Sequence, residues 1–370
     1  MLLRVHFRHQ TARTNDGRGV VKEVQEPEAK PMIKEAIEAV VNGRSLTFEQ
    51  AALVMEEIMI GQATPAQVAA FVTALRIKGE APEEIAGLAS VMQAKATPVE
   101  VSSPVVDTCG TGGDGSQSFN ISTTAAFVVA AAGLKVAKHG NRAMSSHCGS
   151  ADVLETLGVN IDLDAEAVAK CVETVGIGFM FAPNFHPAMK YAAAPRREIG
   201  IRTVFNILGP LTNPARARFQ VIGVPSKDLG EKIASVLYRL GTEHSLVVHG
   251  TDGLDEISIS SKSLIWEVKR HGVSGPYEVF PEDLGFMKAN PSQIKGGTAR
   301  QNAKILRAIL AGEVGVRRNI VIMNAAAALV AGNKALDLKE GVCLAEKAID
   351  SGQALARLEQ LIAFTQRLKE

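Results

Sequence analysis

Residues 107–150 hold the densest cluster of side chains that could do chemistry. A glycine run, GTGGDG at 110–115, leads into Ser118, Asn120, Ser122 and Thr123, and a basic group, Lys138, His139, Gly140, Asn141 and Arg142, follows. Glycines let backbone N–H groups close around an anion, and a helix beginning just beyond them adds the positive end of its dipole. The hydroxyl and amide groups at 118–123 suit phosphate oxygens and sugar hydroxyls. A basic cluster at the end of the next strand would face the same crevice, where open α/β sheets bind ligands. A glycine turn with ordinary Ser/Thr helix caps would account for the loop alone, but not for the loop beside Lys138 and Arg142. The combination points to a phosphorylated small molecule.

Two familiar phosphate motifs do not fit. GTGGDG satisfies the spacing G-x-G-x-x-G, yet a dinucleotide fold needs an acid near the end of its second strand, where this chain has Lys138 and His139. The Walker pattern fails because Ser116 stands where its lysine belongs. Further along, Asp252, Asp255 and Glu256 place three carboxylates within five residues, just after an apolar run at 245–248. Such a cluster offers hard oxygen ligands for Mg²⁺ bridging to phosphates. On spacing alone, a solvated acidic turn is the commoner explanation.

These groups need a scaffold. Residues 33–96 read as helices: Thr47 with Gln50 and Thr64 with Gln67 form two capping boxes, Gly61 and Gly79 follow the runs they open, and a third helix starts near Pro82 with Ile85, Leu88, Val91 and Met92 on one face. Val54, Ile58, Phe71 and Leu75 are the expected core of this unit. From 104 onward, short β-branched runs at 104–108, 134–137, 179–181, 219–223 and 245–249 alternate with helical patterns, which predicts a mainly parallel sheet. The stretch 191–214 reads helical again. The expected fold class is α/β, with a small N-terminal helical domain over 32–96, on which 191–214 packs back, and a larger α/β domain over 104–190 and 215–370.

Composition narrows the class further. A chain of 370 residues with 46% hydrophobic and 21% charged residues is globular. A net charge of +1 without a long basic run argues against a nucleic-acid surface, and the apolar stretch 125–134 is too short to span a bilayer. Cys109, Cys148, Cys171 and Cys343 lack zinc or redox spacing, as expected of reduced thiols in the cytoplasm, and Cys109 reads as a buried strand residue. Residues 1–31 mix charges with turn formers and show no periodic apolar face, so they read as a disordered extension or a mis-assigned start.

Eight segments in order, GTGGD, NIST, KHGNRAMSS, GSADVLETLG, GIGFMFAPNFHPAMKY, RREIGIRTVFNILGPLTNP, DGLDEIS and KGGTARQNAKILRAILAGE, resemble the anthranilate phosphoribosyltransferase family over about residues 32–365. The resemblance implies transfer of the phosphoribosyl group of 5-phosphoribosyl 1-pyrophosphate (PRPP) to anthranilate, the second step of tryptophan biosynthesis. The active site would lie in the cleft between the two domains, and the helical domain would form a homodimer.

By the same resemblance, Asp255 and Glu256 are Mg²⁺ ligands, with Ser122 near a second Mg²⁺ and Asp252 a weaker candidate. Pyrophosphate would sit on the loop from Gly110 through Gly113 to Asp114 and on Lys138. Ser118, Asn120, Ile121, Ser122, Thr123, His139, Gly140, Asn141, Arg142, Ala143, Met144, Ser145, Ser146 and Ser150 would surround ribose and 5′-phosphate. Arg196 would hold the anthranilate carboxylate, its fork matching that group, with Gly110 and Asn141 on the amine side. His139 and His186 either line this pocket, where His139 could take part in proton transfer, or serve as structural hydrogen bonders; Arg197 and Arg202 read as structural or surface charges. No protein nucleophile is needed. One departure stands out: Asn319 replaces an expected aspartate, a change that helix capping would tolerate. Two rivals share the scaffold, a pyrimidine nucleoside phosphorylase and a non-catalytic nucleic-acid-binding relative. KHGNRAMSS, Arg196 and the Asp255–Glu256 pair speak against the first, and the charge balance with the retained acids against the second.

Overall fold

A computed structural model describes residues 32–143 and 147–368. The expected extension at 1–31 and the candidate residues Met144, Ser145 and Ser146 lie outside the described residues. The chain opens with four helices, α1 (Met32–Val41), α2 (Phe48–Met59), α3 (Pro65–Lys78) and α4 (Pro82–Ala94). Thr47 and Thr64 cap α2 and α3 as the sequence predicts: each hydroxyl accepts the backbone N–H three residues on, and Gln50 and Gln67 reach back to the cap N–H. Val54, Ile58, Phe71 and Leu75 are buried between them. Inside this bundle Glu84 is fully buried, yet satisfied by the N–H groups of Leu46 and Ala81 and by Lys78 at 2.9 Å.

The remaining elements are β1 (Val106–Gly110), α5 (Ile121–Ala131), β2 (Val136–Gly140), α6 (Ser150–Leu157), α7 (Ala165–Val175), β3 (Ile177–Phe181), α8 (Ala182–Phe185), α9 (Lys190–Ile199), α10 (Phe205–Leu208), β4 (Phe219–Gly223), α11 (Lys227–Leu240), β5 (His244–Gly250), β6 (Ser263–Lys269), β7 (Gly272–Val279), α12 (Ala299–Leu310), α13 (Val316–Ala331), α14 (Leu338–Asp350) and α15 (Gln353–Arg367). The seven strands lie in the order β3-β2-β1-β4-β5-β6-β7, parallel from β3 to β5 and antiparallel at β6 and β7. The sequence pattern did not single out the antiparallel pair.

Strand β2 differs from expectation in a way that matters. It runs to Gly140, so Lys138 and His139 are strand residues with 3% and 7% exposure, not a loop cluster. Pairing with β3 in register, Lys138 with Phe179 and His139 with Met180, carries the ladder past the apolar run. Alternation sorts the sheet's side chains between two cores. Val221, Leu246 and Ile265 pack with the apolar helices α5 and α13, whereas Ile222, Val247 and Trp266 pack toward α11 and the N-terminal helices. Ala192, Val204, Phe205 and Leu208, from α9 to α10, join that second core.

Candidate active site

From β1 the chain steps outward through β2 to β3 and then crosses back to place β4 on the other side of β1, so the strand order reverses between β1 and β4. This is the topological switch point where open α/β sheets leave a crevice. Two glycines, Gly110 and Gly223, are paired at the ends of β1 and β4 there. A Cβ at Gly110 would overlap the Asp255 carboxylate, and one at Gly223 would overlap the Asp255 backbone. Only glycine lets the segment carrying Asp255 and Glu256 seat across these strand ends.

That segment is hydrogen-bonded to the glycine loop. Oδ2 of Asp255 accepts from the Gly112 N–H at 2.7 Å, and Oε1 of Glu256 accepts from the Ser122 N–H at 3.1 Å, at the start of α5. The expected carboxylate pair therefore meets the expected anion loop. Asp252 does not join it; its carboxylate accepts from the Ser258 hydroxyl at 2.7 Å and shapes the turn. Burial, reinforced by the nearby Asp114, raises the Asp255 carboxyl to about 7, and burial with Asp255 beside it pushes Glu256 well up.

Within the loop, the Thr111 N–H donates to Gly223 and the Gly112 N–H to Asp255. The N–H groups of Gly113, Asp114 and Gly115 have no partner among the described residues and remain for an anion. Oδ2 of Asp114 is buried and likewise unpartnered, while its Oδ1 accepts from Ser116 at 3.2 Å. Three hard carboxylates without a salt-bridge partner among the described residues suit a divalent cation. No three metal-ligating groups among the described residues already converge on one point. Mg²⁺ sites commonly use one or two carboxylates and complete the shell with water and substrate phosphate.

Arg202, read from sequence as a structural or surface charge, reaches this loop. Its Nη2 donates to the carbonyls of Thr111 and Gly112, each at 2.9 Å, and its guanidinium lies where a Cβ at Gly113 would fall. The loop carbonyls are thereby tied back. Nothing in the local spacing of GIRT signals this, because the contact spans 91 residues.

Lys138 sits beneath the strand ends rather than in the crevice. Its Nζ donates to the Thr108 carbonyl at 2.5 Å, and its charge acts on Asp107 and Glu256. His139 and His186 bring their rings to 5.0 Å. Nδ1 of His139 lies 3.2 Å from the Gly209 carbonyl, and Nε2 of each ring is buried without a partner among the described residues. The segment bearing Gly209 is pinned by a network that the sequence reading missed: Asn213 donates to the buried Asp107 at 2.7 Å and to the Ala137 carbonyl at 2.9 Å.

The loop after β2 is organised by Asp152, whose Oδ2 accepts from the N–H groups of Ala143 and Gly149 at 2.9 and 2.8 Å. Arg142 pairs with Asp152 and Glu155 and lies 5.4 Å over the Phe181 ring. The Asn141 carbonyl accepts from Ala151 and Ser150, and a Cβ at Gly140 would meet Ser150 and Phe179. Ser118 bridges to Lys295, Thr123 is buried within α5, and Ile121 is a core residue. Arg196, on α9, stacks 5.2 Å over Phe205 and has no carboxylate partner among the described residues. Asn319 is not a cap: Gly315 holds the N-cap of α13, so the substitution falls a turn inside the helix.

Comparison with known proteins agrees with this architecture. Residues 34–96 match the glycosyl transferase family helical bundle domain, and residues 102–355 match the glycosyl transferase family a/b domain. The anthranilate phosphoribosyltransferase of Chloroflexus aggregans is 62% identical over 334 residues, covering 90% of this chain and 98% of the relative. That of Dehalococcoides mccartyi is 59% identical over 338 residues, 91% and 99% of the two chains. The solved anthranilate phosphoribosyltransferase from Thermus thermophilus superposes with a TM-score of 0.84 at 44% identity, covering 90% and 99%. The Saccharomyces cerevisiae enzyme, solved in complex with PRPP and Mg, gives 0.82 at 28% identity, covering 92% and 99%. The chain belongs to the anthranilate phosphoribosyltransferase family.

Proposed function

We propose that this chain transfers the phosphoribosyl group of PRPP to the amine of anthranilate, giving N-(5-phosphoribosyl)anthranilate and pyrophosphate. The observation that carries the reading is the docking of Asp255 and Glu256 onto the N–H groups of Gly112 and Ser122, which sets two acids against an anion loop at the switch point. In the reaction the bond from ribose C1 to pyrophosphate breaks, C1 gains oxocarbenium character, and the anthranilate nitrogen forms the new bond and loses its proton. Such a step needs charge neutralisation and alignment rather than a protein nucleophile.

The N–H groups from Gly113 to Gly115 are the loop donors for pyrophosphate, with Lys138 adding positive charge from below. Asn120, Ser122 and Thr123 with 140–146 and Ser150 surround the ribose and 5′-phosphate. Asp255, Glu256 and Ser122 would hold Mg²⁺, two ions per monomer, which when bound supplies positive charge at the leaving group. Arg196 takes the acceptor carboxylate, its guanidinium held 5.2 Å from the Phe205 ring centre, with Gly110 and Asn141 on the amine side. The helical bundle, where Val41 and Ile77 are exposed apolar side chains, would carry the homodimer contact that the family resemblance implies. No helix among the described residues is long and apolar enough to cross a membrane, and a cytoplasmic location accords with the four free thiols. The reading is tested by following anthranilate fluorescence. Loss of signal should require PRPP and Mg²⁺ together, and phosphate-dependent nucleoside cleavage without that loss would favour the phosphorylase alternative.

A further inference from the structure

The KGGTARQN run lies far from the glycine loop in sequence, and the donor-site reading gives it no task. In space it borders the loop's rim. The Gly296 N–H donates to the Gln117 carbonyl at 2.9 Å, the Phe119 N–H to Ile294 at 3.1 Å, and Lys295 bridges to Ser118. A Cβ at Gly296 would lie 2.7 Å from Oδ1 of Asn302 and 2.8 Å from Cα of Phe119.

Asn302, in α12, is 2% exposed and belongs to a chain of hydrogen bonds with a forced direction. Its Oδ1 lies 2.8 Å from the Gly297 N–H, and its Nδ2 lies 2.9 Å from Oδ1 of Asn120. A backbone N–H can only donate, so the Asn302 oxygen must face Gly297 and its NH₂ must face Asn120. Asn120 must then offer its oxygen to Asn302 and turn its own NH₂ to the Cys148 carbonyl at 3.1 Å, a group that can only accept. Reversing either amide would set like groups against each other at both ends. The chain leaves Asn120 one N–H and one oxygen lone pair, in a fixed arrangement, at the cap of α5.

We infer that Asn302 is a positioning residue for the donor site: it acts through Asn120, fixing which edge of that amide meets the ribose of PRPP. The inference rests on the donor-site reading above. Asn302→Asp keeps the acceptor for Gly297 but places a second oxygen against Asn120, whereas Asn302→Ala simply frees Asn120.

The test uses the full chain, with steady-state kinetics in each substrate for Asn302→Ala, Asn302→Asp, Asn120→Ala and the double alanine variant. Losing one neutral hydrogen bond corresponds to about a two- to tenfold effect. Asn302→Ala should raise KM for PRPP by that factor and change KM for anthranilate less than twofold, and Asn302→Asp should raise the PRPP value further. In the Asn120→Ala background, Asn302→Ala should add less than twofold, because the amide through which it acts is gone. Additive losses in the double variant, or equal rises in both KM values, would overturn the inference. Should the alanine variant not fold, an unchanged PRPP KM in the near-isosteric Asn302→Asp would overturn it alone. Wild-type protein unable to use PRPP would sink the donor-site reading itself, and this inference with it.

Discussion

The backbone N–H of Gly112 donates to Oδ2 of Asp255 at 2.7 Å, although 143 residues separate the two in the chain. With Glu256 on the Ser122 N–H, this contact turns a strand-end acidic pair into one wall of an anion site. Asp255→Asn with Glu256→Gln keeps the side-chain shape and removes the charge. We expect turnover to fall at least about a hundredfold, since charge stabilisation of this kind is worth several kcal/mol and each 1.36 kcal/mol is roughly a factor of ten. Stability should hold or rise, because burial already disfavours both charges. Near-normal turnover at low Mg²⁺, measured alongside thermal unfolding, would remove the metal-ligand assignment.

Arg196 stacks on Phe205 and faces no carboxylate of its own among the described residues. A charge-assisted hydrogen bond contributes about 1.5–3 kcal/mol. Arg196→Ala should therefore lower kcat/KM for anthranilate by roughly ten- to a hundredfold while barely moving PRPP affinity. Arg196→Lys should recover only part, since an ammonium cannot form the bidentate fork. Equal losses toward both substrates in the same kinetic series would assign Arg196 a structural role instead.

The contrast between Thr47 and Arg202 shows what local pattern can and cannot reveal. Glycine runs and capping boxes act through neighbours in sequence, so GTGGDG, Thr47 and Thr64 are legible. The spacing of Asp255 and Glu256 fits a solvated turn, and only the family resemblance marks them, because their contact with the loop spans 143 residues. The strand β2 was read short because Lys138 and His139 are polar; pairing with β3 buries them regardless. Arg202, Asn213 and Asn302 act across 76 to 182 residues, on Gly112, Ala137 and Asn120 among others, and no spacing rule records such contacts. The antiparallel strands β6 and β7 escaped notice because β7 is largely exposed and lacks an apolar run.

The His139–His186 pair should leave a mark on acid stability. Burial, with the neighbouring imidazole, holds His139 down to about 3, and burial holds His186 down to about 4, from an ordinary 6.5. As pH falls below 6.5 the unfolded chain takes up protons that the folded chain refuses, so stability is full above that pH and is lost on the way down to pH 4. For His186 alone the loss by pH 5 is roughly 2 kcal/mol. Denaturant unfolding at pH 7.5, 6 and 5 should show the His186→Asn variant losing less over this window than the wild type. Parallel losses would show that the pair titrates normally.

Helix α1 begins at Met32, and the curated relatives align over 98% to 99% of their own length to about nine-tenths of this chain. A protein starting at Met32 should keep its activity and melt within about one degree of the full chain, since at about 2.1 cal/mol/K per residue a 1 kcal/mol change shifts a chain of this length by roughly 1.4 degrees. A drop of several degrees in calorimetry would make residues 1–31 part of the fold.

Product stoichiometry reads at once which bond of PRPP breaks and what accepts the sugar. Protein, PRPP, anthranilate and Mg²⁺ are incubated, pyrophosphate is quantified, and the aromatic product is weighed by mass spectrometry. One pyrophosphate should be released per anthranilate consumed, with a product carrying one phosphoribosyl group on the aromatic amine. Anthranilate recovered unchanged, with sugar instead transferred between nucleoside and inorganic phosphate, would contradict the proposed transfer.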